Sequence, residues 1–101
     1  MTNEESVKKC YESEEDSQAL SCVKNVIANP EPGCKPRMVL LVREGCGGCA
    51  EEKARYKSDI DSGMLNVVDI FSEEGKAIAR RNQIDMVPAI LILDCQDQAI
   101  E

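Results

Sequence analysis

Apolar residues recur in short stretches whose periods differ along the chain. Ala19, Leu20, Val23, Val26 and Ile27 fall close to an i, i+3, i+4, i+7 pattern, which predicts an amphipathic helix over residues 17–28, with Ser13 or Ser17 as its N-cap. Asn29-Pro30-Glu31-Pro32-Gly33 ends it, because proline cannot continue the hydrogen-bond ladder. Met38-Val39-Leu40-Leu41-Val42 is continuous rather than alternating, the mark of a central strand covered on both faces. Helix formers from Ala50 to Lys57 follow, and Asp61-Ser62-Gly63 reads as a turn. Leu65 to Ile70 reads as a second strand, Ser72 as the cap of a helix through about Asn82, and Ala89 to Leu93 as a third strand. Asp94-Cys95-Gln96-Asp97 has the composition of a hairpin turn, after which Gln98 to Glu101 begin a returning strand.

Strand, helix, strand, helix, strand is the order that results, and it predicts an α/β fold. A parallel pair joined by a right-handed crossover is expected, in a small mixed sheet of about four strands with flanking helices, and Pro88 stands at a strand entry where a missing amide hydrogen is tolerated. Met1 to Asp16 is acidic and nearly free of large apolar residues, so a solvated end with little burial is expected there. Residues 1–33 thus read as an acidic extension bearing one amphipathic helix, and 34–101 as the α/β domain. The helix of the extension is expected to cover one face of the sheet.

A length of 101 residues suits a single core, and with only Phe71, Tyr11 and Tyr56 aromatic that core rests on Val, Ile, Leu, Met and Ala. The formal net charge of −7, with no basic run and no aromatic platform, argues against nucleic acid and anionic membranes as partners. The first residues are polar and acidic, unlike a secretory leader, and no run approaches the ~18 apolar residues of a spanning helix. A cytoplasmic location is expected.

Six cysteines then change the picture. In a cytoplasmic setting they read as catalytic or metal-binding before structural. Cys46 and Cys49, in Gly45-Cys46-Gly47-Gly48-Cys49, sit where a strand hands over to a helix. The unpaired amides of a helix N-terminus favour thiolate over thiol, which makes Cys46 the nucleophile, and Cys49, one turn on, the thiol that resolves its mixed disulfide. Gly47 and Gly48 leave room for a partner's disulfide to approach. The same two cysteines are also half of a zinc or iron–sulfur site, whose remaining ligands would have to come from Cys10, Cys22, Cys34 or Cys95, since the chain has no histidine. Cys22 reads as a small core residue on the helix stripe, and Cys95 as an exposed turn cysteine. Cys10 and Cys34 bracket the helix, so oxidation between them, or of either with Cys22, would pin the extension, and either is placed to relay electrons to Cys46. The equal twelve-residue spacing of Cys10, Cys22, Cys34 and Cys46 reads as chance. Asp69 is the carboxylate nominated for proton transfer to Cys49.

Strand 38–42, the Cys46–Cys49 motif opening a helix, strand 67–70, and Val87-Pro88 leading into 89–93 together resemble the thioredoxin and glutaredoxin superfamily over roughly residues 37–101. The resemblance implies a thioredoxin-like fold and a monomeric dithiol–disulfide oxidoreductase acting on protein disulfides, supplied by an upstream reductase and needing no cofactor. It also implies a cis Val87–Pro88 peptide that sets the Val87 backbone beside the cysteines, so that Gly45, Gly47, Gly48, Val87 and Pro88 meet the partner. Gly45 stands where thioredoxins usually have tryptophan and Gly48 where they have proline, and the first strand lacks their buried aspartate.

Overall fold

The computed structural model describes residues 1–101 and contains five helices and three strands: α1 (Asn3–Cys10), α2 (Asp16–Ala28), β1 (Arg37–Val42), α3 (Gly47–Arg55), α4 (Lys57–Asp61), β2 (Leu65–Asp69), α5 (Glu73–Asn82) and β3 (Ala89–Leu93). The apolar run read as a central strand is β1. It pairs in parallel with β2, Met38 opposite Leu65, and antiparallel with β3, Met38 opposite Ile92. The molecule is therefore α/β with a mixed three-stranded sheet. No helix is long and apolar enough to cross a membrane.

The expected fourth strand is a single bridge between Leu93 and Ala99. The Asp94–Asp97 turn does form, with Asp97 at a φ of 59°, and the Ile100 amide donates to the Ile92 carbonyl at 2.8 Å. Ile100 then turns into the core, where the Tyr11 hydroxyl donates to its carbonyl at 2.8 Å, so the return leaves the ladder after one bridge.

Residues of β1 alternate between two cores, as the period of a strand requires. Met38, Leu40 and Val42 join Leu65 and Ile92 under the helices, against Val7, Cys10, Val23, Ile27 and Cys49. Val39 and Leu41 face the other way with Val68, Leu93 and Ile78 of α5. Both faces being covered explains why β1 reads as unbroken apolar sequence. The Ser72 cap of α5 is as expected: its hydroxyl accepts from the Gly75 amide at 3.0 Å and donates to the Asp69 carbonyl at 2.6 Å. The helix expected over 50–57 begins earlier, at Gly47, and breaks at Tyr56, whose ψ of 23° turns the chain into α4.

The acidic start is not a frayed end. Thr2 and Glu5 form a capping box, the Glu5 amide donating to the Thr2 hydroxyl at 3.1 Å and the Thr2 amide to the Glu5 carboxylate at 3.0 Å. These bonds to Thr2 hold the Glu5 carboxyl below the usual carboxylate range. The cap is complete above the ordinary carboxylate pKa and is lost as pH falls through the lowered folded value. Asn3, Val7 and Cys10 share the buried face of α1. Asn3 donates to the carbonyls of Glu31 and Cys34, both at 2.9 Å, and accepts from the Glu31 amide at 2.7 Å. Asn3→Ala leaves these groups without partners and is expected to cost about 2 kcal/mol, read as a lower urea midpoint at unchanged slope. α2 begins at Asp16, and its N-cap Glu15 makes no side-chain bond; neither Ser13, whose hydroxyl donates to Gln18 at 3.3 Å, nor Ser17, inside the helix, caps it.

Candidate redox site

Beyond Val42 the chain leaves the sheet through Arg43-Glu44-Gly45, with Gly45 at a φ of 79°, where a side chain would be strained. That turn delivers Cys46 as the N-cap of α3. Its Sγ accepts from the Cys49 amide at 3.0 Å, so the sulfur takes the place of a capping oxygen. Cys46 and Cys49 form a disulfide, with Cα atoms 5.2 Å apart. The two sulfurs are unequal: Cys46 is half-buried, whereas Cys49 is 2% exposed and packs in the apolar cluster beneath the N-terminal helices.

The entry of β3 closes the site from the other side. The Val87–Pro88 peptide is cis, and the Val87 carbonyl oxygen lies 3.9 Å from Cys46 Sγ. A Cβ built on Gly48 would stand 3.2 Å from Pro88 Cδ, while one on Gly47 would meet nothing within 4 Å. The two glycines therefore differ: Gly48 is fitted to Pro88, and Gly47 is open. Gly47→Ala is expected to stabilise the oxidised protein by about 0.5 kcal/mol, and Gly48→Ala to give no gain or a loss. Paired thermal melts check the contrast, and equal shifts would sink it.

Asp69 ends β2, where its carboxylate is engaged by the backbone of the turn that follows. Its exposed carboxylate accepts from the Phe71 amide at 2.8 Å, fixing the turn into α5, and no hydrogen bond joins it to either cysteine. The one buried polar residue of the chain is Asn3, so no carboxylate is sequestered beside Cys49. Missing from the sequence reading are Phe71 and Met86, both strongly exposed, which with Arg43, Ile70, Asp85 and Val87 line a cleft of about 310 Å³ next to Cys46's neighbour Val87. An aromatic residue directly after a strand is the only signal that pointed there.

The other four cysteines pair as Cys10–Cys22 and Cys34–Cys95, with Cα separations of 5.6 and 5.5 Å. Cys22 is exposed, not a core residue; the buried member of its pair is Cys10. Cys95 is exposed as expected but is bonded to Cys34, which ties the segment before β1 to the turn after β3. Cys34 therefore lies at the opposite end of the sheet from Cys46, about 16 Å of strand away, too far for a direct relay. Nowhere does the fold gather three Cys, Asp or Glu side chains into a ligand set for a metal ion.

No family model matches this chain, and neither curated proteins nor solved structures yield a match. The functional reading rests on the site itself.

Proposed function

We propose that the chain is a thiol–disulfide oxidoreductase of thioredoxin-like fold, exchanging electrons with protein disulfides or dithiols through Cys46 and Cys49. The observation that carries this reading is the asymmetry of the pair: Cys46 caps a helix N-terminus and is reachable, while Cys49 is buried behind it. When the disulfide opens, the Cys49 amide and the aligned peptides of α3 stabilise negative charge on Cys46, making it the better leaving group and the attacking thiolate. A partner thiolate attacks the reachable Cys46 Sγ and releases Cys49; the partner's second thiol then attacks the partner sulfur of the mixed disulfide, forming the partner's disulfide and releasing Cys46 as the stabilised thiolate. In the reverse sense, Cys46 attacks the partner's disulfide, and Cys49 resolves the mixed disulfide by attacking Cys46. The cleft beside Val87 supports a docking role for Arg43, Phe71 and Met86, with an extended partner segment lying along the Val87 backbone. Both electrons travel on sulfur, so the reaction as proposed needs no cofactor, and an upstream dithiol reductase renews the reduced form.

Titration of the intact protein against glutathione buffers, with thiols trapped by alkylation and mapped by peptide mass spectrometry, tests the reading. Cys46 and Cys49 are expected to interconvert as one two-electron couple, within the ~−270 to −120 mV spanned by two-cysteine proteins of this kind. Persistence of both as free thiols under oxidising conditions, or stoichiometric metal on them in the isolated protein, would replace catalysis with an adaptor or metal-holding role. A cytoplasmic site of action belongs to the same proposal. Alkylation in intact cells before lysis checks it, since free Cys46 and Cys49 thiols are expected in that reducing compartment.

A further inference from the structure

Cys34 and Cys95 are both exposed, and the cavity around them, about 350 Å³, is lined by Thr2, Asn3, Pro32, Gly33 and Gln96 among others. Four features distinguish this pair from a structural staple. The Cys95 amide donates to Cys34 Sγ at 2.8 Å, a charge-stabilising contact already aimed at the sulfur. The Cys34 main chain is held without the disulfide, because Asn3 donates to its carbonyl at 2.9 Å. The Cys95 turn is likewise held by its own bonds: the amides of Gln96 and Gln98 donate to the Asp94 carboxylate at 2.8 and 3.0 Å. Arg37, just beyond Cys34, then donates to Asp97 at 2.9 Å, joining the two segments by an ion pair.

We propose that Cys34–Cys95 is a second thiol–disulfide exchange site, independent of Cys46–Cys49 and open to an external dithiol. A thiolate of that dithiol attacks Cys95 Sγ. The Cys34–Cys95 bond breaks, and Cys34 leaves with the electron pair as a thiolate held by the Cys95 amide. The second thiol of the external molecule, losing its proton, attacks its own sulfur in the mixed disulfide and releases Cys95, which takes up a proton. Two electrons pass from the external dithiol, which ends as a disulfide, to the Cys34–Cys95 pair, which ends as a dithiol. Because both segments stay anchored, the sulfurs remain face to face and the bond re-forms without refolding.

The pair Cys10–Cys22 supplies the internal control, since only Cys22 is open to solvent and Cys10 is 3% exposed, whereas both members of Cys34–Cys95 are exposed. The test is reduction of the oxidised full-length protein by dithiothreitol at neutral pH, with thiols trapped at intervals, mapped by peptide, and secondary structure followed by circular dichroism. Cys34 and Cys95 are expected to label at least tenfold faster than Cys10 and Cys22, with helix content unchanged. Labelling of Cys34 and Cys95 no faster than Cys10 and Cys22, or only as the dichroism collapses, overturns the proposal. A Cys46→Ser/Cys49→Ser double variant gives the same order if the second site is independent, and loss of Cys34–Cys95 reduction in that variant also overturns it. Since each pair is read from its own peptides, failure here and failure of the Cys46–Cys49 function are separate results.

Discussion

Cys46→Ser is expected to abolish exchange with protein disulfides at the α3 site, lowering the rate read there by at least about a thousandfold, on the order of 4 kcal/mol in barrier, while reduction of Cys34–Cys95 by a small dithiol is unchanged. The variant separates chemistry from folding. Serine is a preferred N-cap, and its oxygen can accept from the Cys49 amide as the sulfur does, so α3 keeps its first turn. The lost disulfide closes a loop of only three residues' separation, so little chain entropy depends on it. A native-like melt combined with lost activity is therefore the expected pair of results, with Cys49→Ser as the counterpart. That chain keeps the reachable sulfur and lacks the resolving one, so it should accumulate mixed disulfides at Cys46. Retained turnover in Cys46→Ser would move the chemistry to another cysteine pair.

Gly75→Ala is expected to be the most damaging single substitution in the scaffold. The added methyl would overlap the Asp69 carbonyl and come within 2.8 Å of the Ile70 Cα, and both obstacles are backbone that no rotamer change removes. Relief requires α5 to move off the sheet, uncovering Ile78, which is fully buried against Val39, Leu41 and Val68. The cost is about 3 kcal/mol, a large share of the roughly 5–15 kcal/mol that holds a domain together. At this chain length the melting temperature should fall by roughly 15 °C. A shift of only a degree or two would mean that α5 docks differently.

Elements whose signals lie within a few residues were legible from the sequence. The β1 run, the Ser72 cap with α5 behind it, and β3 after Pro88 each carry their period and punctuation locally. α1 was not legible, because its stability comes from elsewhere: a low apolar count hid the fact that Asn3, Val7 and Cys10 share one face, and the partners of Asn3 lie at Glu31 and Cys34. The Thr2–Glu5 capping box is the one local clue to this helix. At the site, Cys46 and Cys49 could be read from their spacing, but the fit of Gly48 to Pro88 depends on two segments meeting only in the fold. Disulfide partners are equally invisible, since six cysteines admit 15 connectivities and spacing does not choose among them. The bond from the Phe71 amide to the Asp69 carboxylate is likewise a feature of the folded turn, where a carboxylate at a strand end finds an amide two residues on.

The arrangement of the three disulfides also bears on how the chain is made. Cys10 and Cys22 are 12 residues apart, and Cys46 and Cys49 only 3, whereas Cys34 waits for a partner 61 residues further on. During synthesis from the N-terminus, Cys22 emerges with Cys10 as its nearest predecessor. Cys49 emerges with Cys46 as the free thiol closest along the chain, where loop closure is cheapest. The Cys34–Cys95 bond cannot close before all of β3 has been made, so its presence is a covalent record that the three strands exist.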